Sequence, residues 1–333
     1  MSLAALSQFH ADTVYEWFGE QIDDGLGGCV KVMDGTVAVL GPGGVGGLIG
    51  GLMARAGHRV VFLARPETAA ALRTDGLTVR SRRYGDFTVP VEARTELDEP
   101  VAACLIGVKQ TTLDEALGRL PADTLGDGLV VPLLNGVEHM AELRERYPAR
   151  QVVAGTIRVE STRVSAGHIE HASPFAAIEL ASRTAPRARL DAFAGELGEA
   201  GLNVAVRDDE TAILWDKLSF LAPLALLTTH AGAPVGTVRS ARRAEMLTVV
   251  DEIVRVARAS GATVEAEAIT TAFDRLAPEM KSSMLRDAEA GRALELDAIG
   301  GAVLRAAEHH GLDVPVTARL VSDLQEGRGY KGT

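Results

Sequence analysis

From Gly35 onward the apolar positions follow two periods in turn. "GTVAVL" is a short, β-rich apolar run, and "GGLIGGLMARAG" after it has helical spacing and should end at Gly57. "HRVVFLAR", "AACLIGVK" and "GLVVPLLNG" are further strand-like runs, and "QTTLDEALGRL" and "VEHMAELRERY" are the helical patterns that follow the last two. Strands alternating with helices predict a parallel sheet in a doubly wound α/β domain. Residues 152–206 are mixed, with "HIEHA", "FAAIELAS" and "NVAVRD" read as strands that close this domain. After about Asp208 the strand signal stops. "ETAILWDKLSF", "RAEMLTVVDEIVRVARASG", "AEAITTAFDRL", "SSMLRDAEA" and "ELDAIGGAVLRAAEHHG" all repeat with helical period. The expected organisation is an extension over 1–34, an α/β domain over 35–207 and an all-helical domain over 208–333. The extension carries no strong pattern, and Met33 offers an alternative start.

Composition narrows the function. The chain has 333 residues, 47% hydrophobic and 24% charged, with a formal net charge of −11. That charge argues against a nucleic-acid partner and against an anionic membrane surface. Any phosphate site must be built locally, from backbone N–H groups and a few basic side chains. Two cysteines, Cys29 and Cys104, are too few for a disulfide framework and fit a reducing cytoplasm. Neither they nor the histidines of "HIEH" and "EHH" have the spacing of a metal site. The first residues lack the basic start and apolar core of a secretory signal. The uncharged run Gly35 to Ala54 is too rich in glycine, and holds Pro42, to read as a membrane helix.

One motif sits where chemistry needs it. "VAVLGPGGVGG" holds G-x-G-x-x-G as Gly41, Gly43 and Gly46, after a strand and at the start of a helix. Gly41 permits the tight turn, Gly43 lets the backbone approach a pyrophosphate, and Gly46 lets helix and strand pack closely. The helix start, with Gly44 and Val45, offers N–H groups and a positive dipole end to phosphates. This is the fingerprint of a Rossmann-type dinucleotide domain. At the end of the second strand, where an NAD enzyme usually places an acid, the chain has Arg65 in "FLARPE". A guanidinium suits a 2′-phosphate, so NADP(H) is the expected cofactor. The plainer alternative is a solvated surface charge.

Ligands of open parallel sheets gather at the carboxyl ends of the strands. Lys109 ends "LIGVK" and Asn135 ends "VVPLLNG". Lys109 reads as a phosphate or ribose contact or as a solvated strand end. Asn135 reads as a nicotinamide or substrate contact or as a simple turn. Lys217 interrupts "ILWDKLSFLAPLALL", close to the hinge between the expected domains. Lone helical lysines usually snorkel. Here the positions four and eight residues on, Leu221 and Ala225, make its own helix face apolar, so the cation needs a partner or a wet cleft.

Taken together, "GPGGVG", "VK", "LLNG", "WDKL" at Trp215 to Leu218, "SSML" at Ser282 to Leu285 and "ELD" at Glu295 to Asp297 resemble the ketopantoate reductase (2-dehydropantoate 2-reductase) family. The likeness runs from about Thr36 to Leu324, and Arg65 lies where that family places its 2′-phosphate arginine. The resemblance implies a reductase that passes hydride from NADPH to the C2 ketone of a small 2-oxo acid. It makes Lys217 the group that polarises and protonates the carbonyl oxygen. Glu295 would bind a substrate hydroxyl and help keep the lysine charged. Ser283 would bond the substrate carboxylate, and Asn135 would position cofactor or substrate. A homodimer is left open.

One departure bears on the substrate. The family's lysine helix continues with asparagines four and eight residues on, and here these are Leu221 and Ala225, still counted as substrate-facing. Pro223 also falls inside this helix and should kink it. Losing two amides weakens discrimination for a hydroxylated substrate. Ketopantoate therefore stands beside a more apolar 2-oxo acid or carbonyl compound. A non-catalytic dinucleotide sensor is the remaining alternative.

Overall fold

The computed structural model describes residues 35–328, so the extension over 1–34, with Met33 and Cys29, lies outside the described residues. Those residues divide into two compact units. One comprises 35–134 and 139–213; the other comprises 135–138 and 214–328.

The first unit contains strands β1 (Val37–Leu40), β2 (Val60–Leu63), β3 (Leu77–Ser81), β4 (Phe87–Val89), β5 (Glu92–Arg94), β6 (Ala103–Ile106) and β7 (Leu129–Pro132). Between and after them lie helices α1 (Gly44–Arg55), α2 (Pro66–Asp75), α3 (Leu113–Leu117), α4 (Ala122–Leu125) and α5 (His139–Arg146). The chain then forms β8 (Ala154–Arg158), β9 (Ser161–Ser165), β10 (His168–His171), β11 (Ala177–Ala181), α6 (Arg187–Glu199) and β12 (Asn203–Arg207).

Strands β5-β2-β1-β6-β7 form a sheet, in that order, with every pair parallel. All residues of β1, β2, β6 and β7 are buried, as continuous apolar strands of a two-sided sheet must be. The strand order reverses beside β1, which has β2 on one side and β6 on the other. Such a reversal opens the crevice in which doubly wound sheets bind ligands. This is the predicted Rossmann-type architecture. Strands β3 to β5 are three to five residues long and were too weak to read in the sequence.

Helix α1 is packed on two sides. A Cβ on Gly50 would stand 2.5 Å from Phe62 Cζ of β2, and one on Gly47 would stand 2.6 Å from Ile169 Cδ1 of β10. Strand β10 belongs to a second sheet, ordered β4-β3-β10-β9. A third sheet, β12-β11-β8, is joined to the first through a bridge between Val130 and Val152. Here Glu179 of β11 is buried between Arg158 at 2.6 Å and Arg207 at 3.2 Å. Burial alone would raise its carboxyl pKa, but the two guanidiniums more than offset this and hold it below the ordinary 4.5. Cys104 lies fully buried in β6, where desolvation pushes the thiol up to about 12. It is a packing residue without nucleophilic character.

Helix α7 (Glu210–Ala231), which enters the helical unit at Leu214, is followed there by α8 (Val235–Ala241), α9 (Arg243–Ala259), α10 (Ala266–Arg275) and α11 (Ser283–Glu289). A turn of π-helix, Asp297–Gly301, leads into α12 (Ala302–His310), and α13 (Pro315–Gln325) completes the unit. The core gathers Trp215, Leu218, Leu226, Ile253, Phe273, Ile299 and Leu320. Helix α7 is long and apolar enough to span a membrane, but 67% of its most apolar stretch is buried inside the fold, so a core helix accounts for it. It runs on through Pro223 as one helix of 22 residues. Proline removes one donor there, yet the surrounding core holds the segment helical.

Glu252 of α9 is buried and works as a cap for another helix. Its carboxylate accepts from Val316 N at 3.0 Å, Thr317 N at 2.8 Å and Thr317 Oγ1 at 2.7 Å, all at the start of α13. A negative charge on otherwise unpaired N–H groups is the favourable arrangement at a helix N-terminus. Two predicted helices come out shorter than their patterns. "QTTLDEALGRL" splits into a 3₁₀ turn at Gln110–Thr112 and α3, and "VEHMAELRERY" becomes helical only from His139.

Candidate active site

The glycine loop follows β1 directly. Gly41 has φ +90°, and a Cβ there would stand 2.5 Å from Val108 Cγ1, so both its backbone and its neighbour require glycine. A Cβ on Gly46 would stand 2.3 Å from Gly41 O, which is the close packing the motif predicts. Gly44 is constrained from another direction, because Ser161 O of β9 would lie 2.2 Å from its Cβ. Ser161 Oγ also donates to Gly44 O at 2.8 Å. Gly43 differs from its neighbours. The nearest atom to a Cβ there is Gly107 O at 3.4 Å, so the hydrogen of glycine leaves open space that a methyl group would fill.

The donors around that space are those an anion needs. Gly43 N–H turns inward to Gly41 O at 2.8 Å. The N–H groups of Gly44, Val45 and Gly46 form the first turn of α1, of 12 residues, where no preceding turn can accept them. Gly107, at the end of β6, approaches so closely that its Cβ would stand 2.9 Å from Gly46 N. Lys109 follows two residues later, half-buried, at the start of the 3₁₀ turn. Glycine loop, helix start and strand-end lysine thus gather at the reversal of strand order, and they fit the pyrophosphate of a dinucleotide.

Arg65 stands at the end of β2 as the residue before α2. Pro66 imposes the extended backbone (φ −61°, ψ 152°) that ends the strand and opens the helix. The guanidinium is 60% exposed and pairs with Glu115 of α3, its Nη2 lying 3.1 Å from Oε2 and 3.2 Å from Oε1. Glu115 carried no signal in the sequence. It looked like any acid on the outer face of a short helix, and its partner is 50 residues away.

The helical unit brings together two of the predicted residues. Asn135 Nδ2 donates to Glu295 Oε2 at 3.1 Å. The amide thus presents its NH₂ to the acid and turns its own oxygen elsewhere. Asn135 opens the short stretch 135–138, which groups with the helical unit although both flanks belong to the sheet unit. Two further contacts hold it. Gly136 has φ +88° and passes so near the π-turn that its Cβ would stand 2.5 Å from Ala298 O. Arg305 donates to Glu138 through Nε at 2.8 Å and Nη2 at 2.6 Å, and to Asp297 Oδ1 through Nη1 at 2.8 Å. These bonds, that to Glu138 foremost, push the Arg305 pKa further up.

The remaining predicted residues lie on this unit's helices. Lys217 is half-buried on α7, and Leu221, one turn on, is half-buried at the edge of the core. Ala225 is fully buried inside the core, with no exposed surface to offer a substrate. Its predicted place on the substrate face is therefore corrected to core packing. In "SSML" the two serines divide the work. Ser282 caps α11, accepting from Leu285 N at 3.1 Å, and pairs with Thr228 Oγ1 at 2.7 Å. Ser283 is left exposed on the first turn.

A glycine loop at the switch point of a parallel sheet has the form of a dinucleotide-binding fold, and in this chain a helical unit bearing Lys217, Glu295 and Asn135 follows it. The class, a nicotinamide-dinucleotide-dependent oxidoreductase, is that of its family. Comparison with known proteins agrees. The family described as "Ketopantoate reductase PanE/ApbA" matches residues 37–183, and "Ketopantoate reductase PanE/ApbA C terminal" matches residues 209–327. The 2-dehydropantoate 2-reductase of Halobacterium salinarum is 30% identical over 303 residues, covering 86% of this chain and 97% of that protein. An oxidoreductase of Bacillus subtilis, YkpB, is 29% identical over 298 residues, with the same shares covered. The crystal structure of 2-dehydropantoate 2-reductase from Geobacter metallireducens matches with a TM-score of 0.80 at 25% identity, covering 88% of this chain and 99% of that one. The chain belongs to the ketopantoate reductase family.

Proposed function

We propose that the protein reduces the C2 ketone of a small 2-oxo acid with NADPH. Ketopantoate, reduced to pantoate for pantothenate synthesis, is the first candidate substrate. The observation that carries the reading is the Asn135–Glu295 hydrogen bond, which joins the residue after β7 to the "ELD" acid of the helical unit. A protein that only sensed a dinucleotide would need neither that acid nor Lys217.

In this reading the backbone of Gly43 to Gly46 and the Lys109 ammonium hold the pyrophosphate, and Arg65 takes the 2′-phosphate. When bound, the reduced nicotinamide supplies the hydride. Lys217 polarises the carbonyl oxygen as an ammonium ion and passes it a proton as charge develops. Glu295 accepts from a substrate hydroxyl and favours the charged form of the lysine. Asn135 occupies one carboxylate oxygen and so fixes the orientation of the other. The exposed Ser283 hydroxyl donates to the substrate carboxylate. The cysteine usage fits a reducing cytoplasm.

A second reading changes the substrate only. Leu221 and the buried Ala225 offer no hydrogen bond along the lysine helix, which favours a more apolar 2-oxo acid. The fold does not choose between them. D-mandelate dehydrogenase, solved with NADH and anilino(oxo)acetate, shares it with a TM-score of 0.79 at 19% identity, covering 87% of this chain and 97% of that one. The test is to follow loss of reduced-nicotinamide absorbance with ketopantoate and a panel of branched and aromatic 2-oxo acids. Turnover of ketopantoate above the others supports the first reading, and a preference for an apolar acid supports the second. Tight NADPH binding with no turnover of any acid would sink both.

A further inference from the structure

We infer that Glu115 is a determinant of cofactor choice, and that with Arg65 it makes a ribose subsite able to accept either a 2′-phosphate or a 2′-hydroxyl. This rests on the proposed role of Arg65. The end of β2 lacks the acid that would accept from the ribose of NADH, but Glu115 of α3 brings a carboxylate to the Arg65 guanidinium. Its two oxygens lie 3.1 and 3.2 Å from Arg65 Nη2. One nitrogen of the guanidinium that a 2′-phosphate needs is thus already engaged by an anion. On its far side, Glu115 Oε1 lies 3.7 Å from Arg119 Nη2, four residues on and just past the end of α3.

These contacts give the carboxylate two settings. Against NADPH it competes with the phosphate for Arg65 and repels it, and when displaced it still has Arg119 as counter-ion. Towards NADH it is the only acceptor of the pair, since a guanidinium donates and cannot accept. Arg65 then serves to hold it in place. Arg65 and Glu115 are 60% and 58% exposed, so the pair is screened and can exchange partners without a large desolvation cost. A buried pair would be locked to one cofactor.

The test is direct binding, read by the fluorescence of NADPH and of NADH on titration with the full chain. Glu115→Gln should tighten NADPH about three- to tenfold and weaken NADH by a similar factor, which moves the affinity ratio at least tenfold towards NADPH. Arg65→Ala should weaken NADPH far more than NADH. If Glu115→Gln leaves both dissociation constants within twofold, or moves them in the same direction, while Arg65→Ala still weakens NADPH selectively, Glu115 has no part in cofactor choice and the NADPH reading stands. If Arg65→Ala moves neither, the NADPH reading fails and this inference with it. Glu115→Asp keeps the charge on a shorter arm, and should shift the ratio less than Glu115→Gln.

Discussion

Asn135 and Glu295, 160 residues apart in the chain, meet through a single 3.1 Å hydrogen bond from amide to carboxylate. The amide neutralises nothing. It fills one lone pair of the acid and sets the direction of the other oxygen. Replacing it by Asn135→Asp sets two carboxylates in contact, and like charges at that distance cannot both ionise easily. The acid limb of the pH–rate profile should move up by about one pH unit or more. Asn135→Leu removes the bond without adding charge and should lower kcat with no such shift. An acid limb that stays in place in Asn135→Asp would show that the contact has no part in the reaction.

Lys217 should be indispensable to turnover and dispensable to cofactor binding. Lys217→Ala is expected to lower kcat about 100-fold or more, with the NADPH dissociation constant nearly unchanged. Lys217→Arg keeps the positive charge but not a proton it can release at neutral pH, so kcat should stay low while KM for the acid recovers. Equal rates for wild type and Lys217→Ala would remove the lysine from the chemistry.

The Glu252 cap predicts a stability effect remote from any chemistry. Glu252→Ala strands two N–H groups and a hydroxyl at the start of α13, at a cost of about 3 kcal/mol. The melting temperature should fall by roughly 6–12 °C, read by calorimetry. Glu252→Gln keeps one acceptor oxygen in the same shape and should lose less than half as much.

Glu179 predicts how the fold responds to acid. The fold holds its carboxyl pKa below the ordinary 4.5, so the folded state binds the proton less readily than the unfolded chain. Its contribution is complete above about pH 4.5 and is lost as pH falls through the depressed folded value. Glu179→Gln should therefore cost about 3 kcal/mol at pH 7 and flatten the fall in melting temperature below pH 4.5. Parallel acid limbs for the two proteins would contradict this.

Much of the architecture was legible because its signals are local. The tight turn at Gly41 and the close packing at Gly46 could be read because a loop between strand and helix depends on its own backbone and nearest neighbours. The apolar strands β1, β2, β6 and β7 and the periodic helices α7, α9 and α12 declared themselves in the same way. What escaped depends on distant partners. Glu115 gains meaning only from Arg65. The helix read from Val137 starts at His139 because Gly136 and Glu138 are drawn to Ala298 and Arg305. Ala225 was placed on the substrate face by spacing along α7, and the core packed around that helix overrides spacing.

The tetrapeptide 135–138 has a practical corollary. The covalent chain passes between the two units after Leu134, after Glu138 and after Ile213. Cutting the gene in two near residue 210, as the linear order of motifs invites, would put Asn135 in one fragment and Glu295 in the other. Neither fragment could then be purified with a finished constellation. Swapping the helical portion between relatives would likewise leave a foreign loop facing Arg305. Chimeras should exchange residues 135–138 together with everything after 213, as one transplant in two pieces.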